Sequence, residues 1–279
     1  MRSLLFFAPI PALLMSIVLM QFVGVSRFVW IQQVVVSVFA LGLAYAMSRR
    51  NFVAVSTKWQ IYLILFLGLL LFLPPVLGSS PDPQRWLVLG GFRLYIAACV
   101  LPLLVLLLEN LIHQRNTQAQ IWIFFYPVIA AALAWQPDAS QSLAVALIGL
   151  ISIMRTDNRT VIKLTCIITL LAASILSSAQ PDPLQPVSYV EGVIQLGATM
   201  HLSIAAILLL VLAIVPISLI WIGRRHQHTT FYLPALYYLV IDICAFLQLT
   251  PMPLLGFGAG PILGYALMAY AYSRQIQQR

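Results

Sequence analysis

Ten long apolar stretches alternate with short polar connections along the chain. They run over roughly 4–23, 29–47, 59–78, 94–112, 120–135, 141–154, 161–178, 200–223, 231–249 and 255–273. A run of ~20 apolar residues wound as a helix matches the ~30 Å hydrocarbon core of a bilayer. Lipid offers no partner to peptide groups, and a helix satisfies them internally. The pattern therefore predicts an all-α integral membrane protein of ten transmembrane helices, forming a single polytopic membrane domain over 1–279. The fifth and sixth stretches are shorter than a full crossing, and predict either helices that end in water-filled or protein-lined space or helices that run a few residues past these bounds.

Charge orients the spans. Twelve of the fifteen cations fall on alternate connections: Arg2, Arg49, Arg50, Lys58, Arg115, Arg155, Arg159, Lys163, Arg224, Arg225, Arg274 and Arg279. Only Arg27, Arg85 and Arg93 lie on the other set. Short loops rich in Lys and Arg stay cytoplasmic, so both termini are expected inside the cell. The opposite loops hold Asp82, Asp138, Asp182 and Glu191, four of the seven acids.

Composition narrows the class further. Apolar residues make up 62% of the chain and charged residues 8%, against roughly a quarter charged in soluble domains. A soluble globular domain is excluded. The net charge of +8 is spread thinly over loops, which suits anionic headgroups and excludes nucleic acid as a partner. Cys99, Cys166 and Cys244 are isolated inside apolar stretches and predict packing residues, with no metal spacing. The first stretch lacks a small-residue cleavage site and precedes a full second span, so it is expected to be a membrane helix instead of a signal peptide.

The outer connections carry the candidate chemistry. They span 78–91, 135–141, 177–192 and 250–260, and concentrate Pro, Gly, acids and aromatics. Irregular backbone at membrane depth needs protein or water around it, which points to a site on that face. Arg85 beside Trp86 provides a cation suited to phosphate, or an interfacial anchor. In Gln136-Pro137-Asp138, the proline breaks a helix. Asp138 either caps the next helix or stands as an acid beside a substrate. Glu191 is a candidate general base or a solvated loop acid, with Asp182 as a competitor. Pro251, Pro253, Gly256 and Gly258 exclude a plain helix and form either a pocket of backbone N–H groups or a re-entrant turn. Asp242 lies inside the ninth stretch, where an acid is a functional candidate by default. His201, and the pair His226 and His228, carry weaker signals. No inverted repeat is visible.

Three segments share a wider pattern. Arg85-Trp86-Leu87-Val88-Leu89-Gly90 follows the third stretch, Gln136-Pro137-Asp138 separates the fifth and sixth, and Pro251-Met252-Pro253-Leu254-Leu255-Gly256-Phe257-Gly258-Ala259-Gly260 precedes the last. In this order on ten spans the chain resembles the SEDS family of shape, elongation, division and sporulation proteins (FtsW/RodA/SpoVE-like). The family's matching segments are Arg-Trp-Ile/Leu-x-Leu-Gly, Gln-Pro-Asp-x-Gly-Thr and Pro-Leu-Pro-x-x-Ser-Tyr-Gly-Gly-Ser. The resemblance runs from about the third span to the tenth.

The resemblance implies a protein of the bacterial inner membrane that acts in peptidoglycan synthesis. Its substrate would be lipid II or another undecaprenyl-linked sugar, its partner a class B penicillin-binding protein, and a divalent cation is compatible with the family. The family's presumed catalytic Asp follows a Pro by five residues; here Pro186 is followed by Glu191. The implied catalytic residues are Glu191 and Asp138, and the implied substrate-binding residues are Arg85, Trp86, Gln136, Pro251, Pro253, Gly256 and Gly258, with no metal ligands assigned. Departures stand beside the matches: the family's Glu and Lys after the Arg-Trp motif are Ala98 and Leu101 here, and Gly-Thr becomes Ser140-Gln141. Three functions follow: a glycan polymerase, a SEDS-like scaffold that has lost the chemistry, and a transporter of lipid-linked substrates. The expected site brings Arg85, Asp138 and Glu191 to one outward-facing cavity.

Overall fold

The computed structural model describes residues 2–50, 56–77, 84–89, 92–113, 117–180, 185–226 and 232–277. Asp82, Arg115, Asp182, His228 and Arg279 lie outside the described residues. In chain order the helices begin with α1 (Arg2–Phe7), α2 (Ile10–Phe22), α3 (Arg27–Ser48), α4 (Thr57–Leu70) and α5 (Leu73–Leu77). Two strands follow, β1 (Trp86–Leu89) and β2 (Phe92–Tyr95). Then come α6 (Ile96–Ile112), a 3₁₀ segment (Thr117–Phe124), α7 (Phe125–Trp135), α8 (Ala139–Met154) and α9 (Thr160–Ala179). The chain ends with α10 (Val193–Met200), α11 (Leu202–His226), α12 (Tyr232–Phe246) and α13 (Ala259–Gln277).

All ten apolar stretches are helical over most of their length. Among the described residues, Ser3–Phe22, Arg27–Ser48, Thr160–Ala179 and Leu202–Arg225 are long and apolar enough to cross a membrane, and several shorter apolar helices accompany them. Some helices bury polar residues while exposing large apolar ones. On α3, Gln33 and Ser37 are buried while Phe28, Val38, Phe39 and Leu43 are exposed. On α9, Ser174 and Ser177 are buried while Val161, Leu164, Ile168 and Ile175 are exposed. Water would reverse that distribution; a hydrocarbon surround explains it.

Two details differ from the sequence expectation. The helix of the fourth stretch, α6, starts at Ile96, because the preceding residues pair as an antiparallel hairpin with Trp86 opposite Tyr95 and Val88 opposite Arg93. Both segments are rich in aromatic and branched residues, which favour a pleated conformation over a loop. The short fifth stretch also gains length. Its 3₁₀ turns rise ~2.0 Å per residue and α7 adds ~1.5 Å per residue, so the two reach about 32 Å together.

The chain divides into two compact units. The first comprises Met1–Ala54 and Pro186–Arg279, and the second Val55–Gln185. In the first, α3 packs most broadly on α13, and α11 on α10 and α12. The Tyr265 hydroxyl donates to the Leu5 carbonyl at 2.6 Å and ties α13 to α1. In the second, α7, α8 and α9 pack mutually, and α6 joins α4 and α8. Gly149 permits the close approach within that unit: a Cβ there would lie 3.0 Å from both Tyr126 and Leu170.

Candidate functional site

In the second unit the hairpin and the α7–α8 turn form one polar knot. Pro137 and Asp138 follow α7 because proline cannot continue a helix as a donor, and Asp138 then caps α8. Its carboxylate accepts the Gln141 backbone N–H at 3.3 Å, the Ser140 hydroxyl at 3.0 Å and the Tyr95 hydroxyl at 2.5 Å. Arg85 donates to the Pro137 carbonyl, and its charge acts on Asp138. The Trp86 ring lies 5.1 Å from the Tyr95 ring. Gln136 is buried and donates through Nε2 to the Leu71 carbonyl at the end of α4.

Asp138 is 0% exposed. Burial pushes its carboxyl above the usual carboxylate range; the Arg85 guanidinium and the Tyr95 hydroxyl oppose that shift without cancelling it. A carboxylate so enclosed holds the turn, and each of its oxygens accepts at least one hydrogen bond. The surroundings do not fit a divalent cation either, because the carboxylate faces N–H and O–H donors and an arginine instead of further oxygen ligands. Among the described residues, no three or more His, Cys, Asp or Glu side chains gather as a metal site.

In the first unit the loop before α10 and the loop before α13 clasp each other. Met252 N–H donates to the Val190 carbonyl at 2.9 Å, and Phe257 N–H to the Tyr189 carbonyl at 3.1 Å. Gly256 sits where a Cβ would come 2.3 Å from the Val190 oxygen, so no larger residue fits without moving backbone. Leu254, between Pro253 and Gly256, adopts φ 64, a left-handed conformation unfavourable for a γ-branched residue and held by these contacts. Gln33 of α3 grips the loop from beneath: Nε2 donates to the Gly256 carbonyl at 3.1 Å, and Oε1 accepts from Gly258 N–H at 3.2 Å. Pro251 and Pro253 are buried in this clasp, so backbone carbonyls and amides, and not side chains, do most of the holding.

Glu191 is half-buried, and Oε2 accepts the Val187 N–H at 2.8 Å across its own turn. Its backbone N–H also donates to the Val187 carbonyl. The structure thus joins Arg85, Trp86, Gln136 and Asp138 in the second unit, and Glu191, Pro251, Pro253, Gly256 and Gly258 in the first. Neither protein-family models nor curated proteins match this chain. What it does has to be argued from these two clusters.

Other acids and histidines separate into roles. His201 breaks α10 from α11: its ring nitrogen Nδ1 accepts the Ser203 N–H and meets the Ser203 hydroxyl at 2.7 Å, a local helix cap. Asp242 is half-buried on α12. Several residues that organise the clusters escaped the sequence reading. Tyr95 and Gln33 carried no signal, because their partners lie 43 and 223 residues away. Glu109 did carry one, as a lone acid in the apolar run of α6. It is fully buried beside Tyr126 and Ser152.

Proposed function

We propose that this chain is a ten-span, SEDS-like protein of the bacterial inner membrane, with cytoplasmic termini, that serves peptidoglycan synthesis by engaging lipid II or a related undecaprenyl-linked sugar beside a class B penicillin-binding protein. One observation carries the reading. The segments that resemble the family, far apart in sequence, meet pairwise: the Arg85-Trp86 hairpin with the Gln136-Pro137-Asp138 turn, and the Pro186–Glu191 loop with the Pro251–Gly260 loop. The inside-out polarity of α3 and α9 supports the membrane setting.

Within that function, the engagement of Asp138 favours a binding scaffold. The acid is sealed from solvent and holds three donors, so it shapes the turn and does not shuttle protons. The second reading is glycan polymerisation. The half-buried Glu191 favours it, because its carboxylate reaches the surface of the loop while accepting the Val187 N–H through Oε2. It would take the acceptor hydroxyl's proton as that oxygen attacks the anomeric carbon, and undecaprenyl pyrophosphate would leave.

Purified protein in lipid nanodiscs, with and without a class B penicillin-binding protein, separates these readings. Lipid II binding without polymer supports the scaffold. Polymer formation abolished by Glu191→Gln supports the enzyme. Absence of both lipid II binding and transpeptidase co-purification overturns the assignment.

A further inference from the structure

A second buried acid lies at the other end of the second unit. Glu109 is near the C-terminal end of α6, thirteen residues or ~20 Å beyond its first residue Ile96 and thus far from the hairpin. It is 0% exposed. Tyr126 of α7 donates its hydroxyl to Glu109 Oε1 at 2.6 Å, and Ser152 of α8 donates to the same oxygen. The Ser152 hydroxyl also reaches the Tyr126 oxygen at 3.3 Å. Three helices therefore converge on one carboxyl oxygen.

The other oxygen is different. Oε2 accepts no hydrogen bond and lies 3.5 Å from His113 Nδ1, one helical turn on, a nitrogen that also meets the Glu109 backbone carbonyl at 3.0 Å and must turn from it to reach Oε2. The His113 side chain is 26% exposed, so the imidazole stands between the sealed carboxyl and solvent. The remaining charged groups are few. Arg155, at the end of α8, acts electrostatically on Glu109. Lys163 of α9 binds the Met154 carbonyl, and Lys58 opens α4, whose Gln60 donates to the Leu107 carbonyl.

We propose that Glu109 is a proton-binding site, loaded and unloaded through His113 and independent of the Asp138 turn. A proton enters at the ring's other nitrogen, the Nδ1–H bond breaks, an O–H bond forms on Oε2 and the imidazole is left neutral. The site suits a proton and not a metal cation, because its neighbours are O–H and N–H donors and an arginine.

The test is labelling of the full chain in micelles with dicyclohexylcarbodiimide, which reacts with protonated carboxyls in apolar surroundings, and mapping of the adduct by mass spectrometry. Glu109 is expected to label at acidic to neutral pH, with the rate falling tenfold for each further pH unit beyond the midpoint. Sodium chloride is expected to give no protection. The midpoint is expected to move in His113→Gln, because the imidazole 3.5 Å from Oε2 is lost. Wild-type Glu109 that never labels, or labels equally at every pH, overturns the proposal. Protection by sodium ions makes the site a cation site and also overturns it. An unmoved midpoint in His113→Gln overturns the His113 route. None of these readouts depends on lipid II or on a transpeptidase.

Discussion

Replacing Asp138 by Ala tests whether the α7–α8 turn is a structural knot. The substitution removes the side-chain cap on Gln141 N–H, which costs about 1 kcal/mol. It also takes the carboxylate acceptor from the buried Tyr95 hydroxyl, at about 1–3 kcal/mol. The Ser140 hydroxyl can turn to another acceptor and adds little. The total is about 3 kcal/mol. Tyr95→Phe alone removes one hydrogen bond and leaves Asp138 with two other donors, so about 1.5 kcal/mol is expected. In Asp138→Ala/Tyr95→Phe the phenol is gone, and with it the donor that lost its acceptor. The double variant should therefore lose at least ~1 kcal/mol less than the sum of the single losses. Reversible unfolding by sodium dodecyl sulfate in mixed micelles measures this. The buried Cys166 and Cys244, one in each unit, report exposure through a thiol-reactive dye. Additivity within ~0.5 kcal/mol, or an Asp138→Ala loss under ~1 kcal/mol, would refute the knot.

Other expectations follow from the same geometry. Burial holds the Asp138 carboxyl above its ordinary value of about 3.9, so protonation stabilises the folded state fully below that value and the benefit fades as pH rises through the folded value. Asp138→Asn, which cannot ionise, should gain on the wild type from pH 4 to pH 8 in thermal unfolding; a shrinking advantage contradicts the sign. Gly256→Ala forces a methyl group to within 2.3 Å of the Val190 oxygen, so the clasp must open. We expect a loss of 2 kcal/mol or more by the strain rules for overpacking, and new protease cleavage between 185 and 192; an uncut loop of normal stability argues against the clasp. Gln33→Leu deletes both grips on that loop and leaves the Gly256 carbonyl and Gly258 N–H unmatched, at about 1–3 kcal/mol in the same denaturation assay. Glu191→Gln keeps an acceptor for Val187 N–H, so its stability should stay within ~0.5 kcal/mol of wild type. Any loss of glycan polymer in that variant would then be chemical.

The helices were legible because a bilayer leaves few alternatives. A run such as 161–178 must satisfy its peptide groups internally, whatever it packs against. The faces were less legible. In α3 the apolar residues are spread around the helix, so its pattern alone does not say that Gln33 and Ser37 point inward. Polar groups had to be matched to partners first, and those partners are distant in the chain. The hairpin at 86–95 was missed for a related reason. Two four-residue segments beside glycines look like the frayed end of a span until Trp86 and Tyr95 are seen to stack. Glu109 differs from these cases. A single acid within α6 stands out in the sequence, but its partners Tyr126 and Ser152 lie on other helices.

A motif survives in a sequence for its chemistry or for the shape it imposes, and its letters are the same in either case. Asp138 shows the difference in atomic terms. A proton-transfer acid needs an oxygen that a reacting group can reach, but both of its oxygens are held by Tyr95, Ser140 and Gln141 inside a sealed turn. The clasp of the other unit is likewise built from backbone, with Gly256 required by space and Gln33 by hydrogen bonding. Both clusters explain why their residues stand where they do without invoking a substrate. Of the acids placed in them, only Glu191 retains the exposure that chemistry needs. The choice between scaffold and polymerase therefore falls on one carboxylate, and on whether Glu191→Gln leaves a folded protein without polymer.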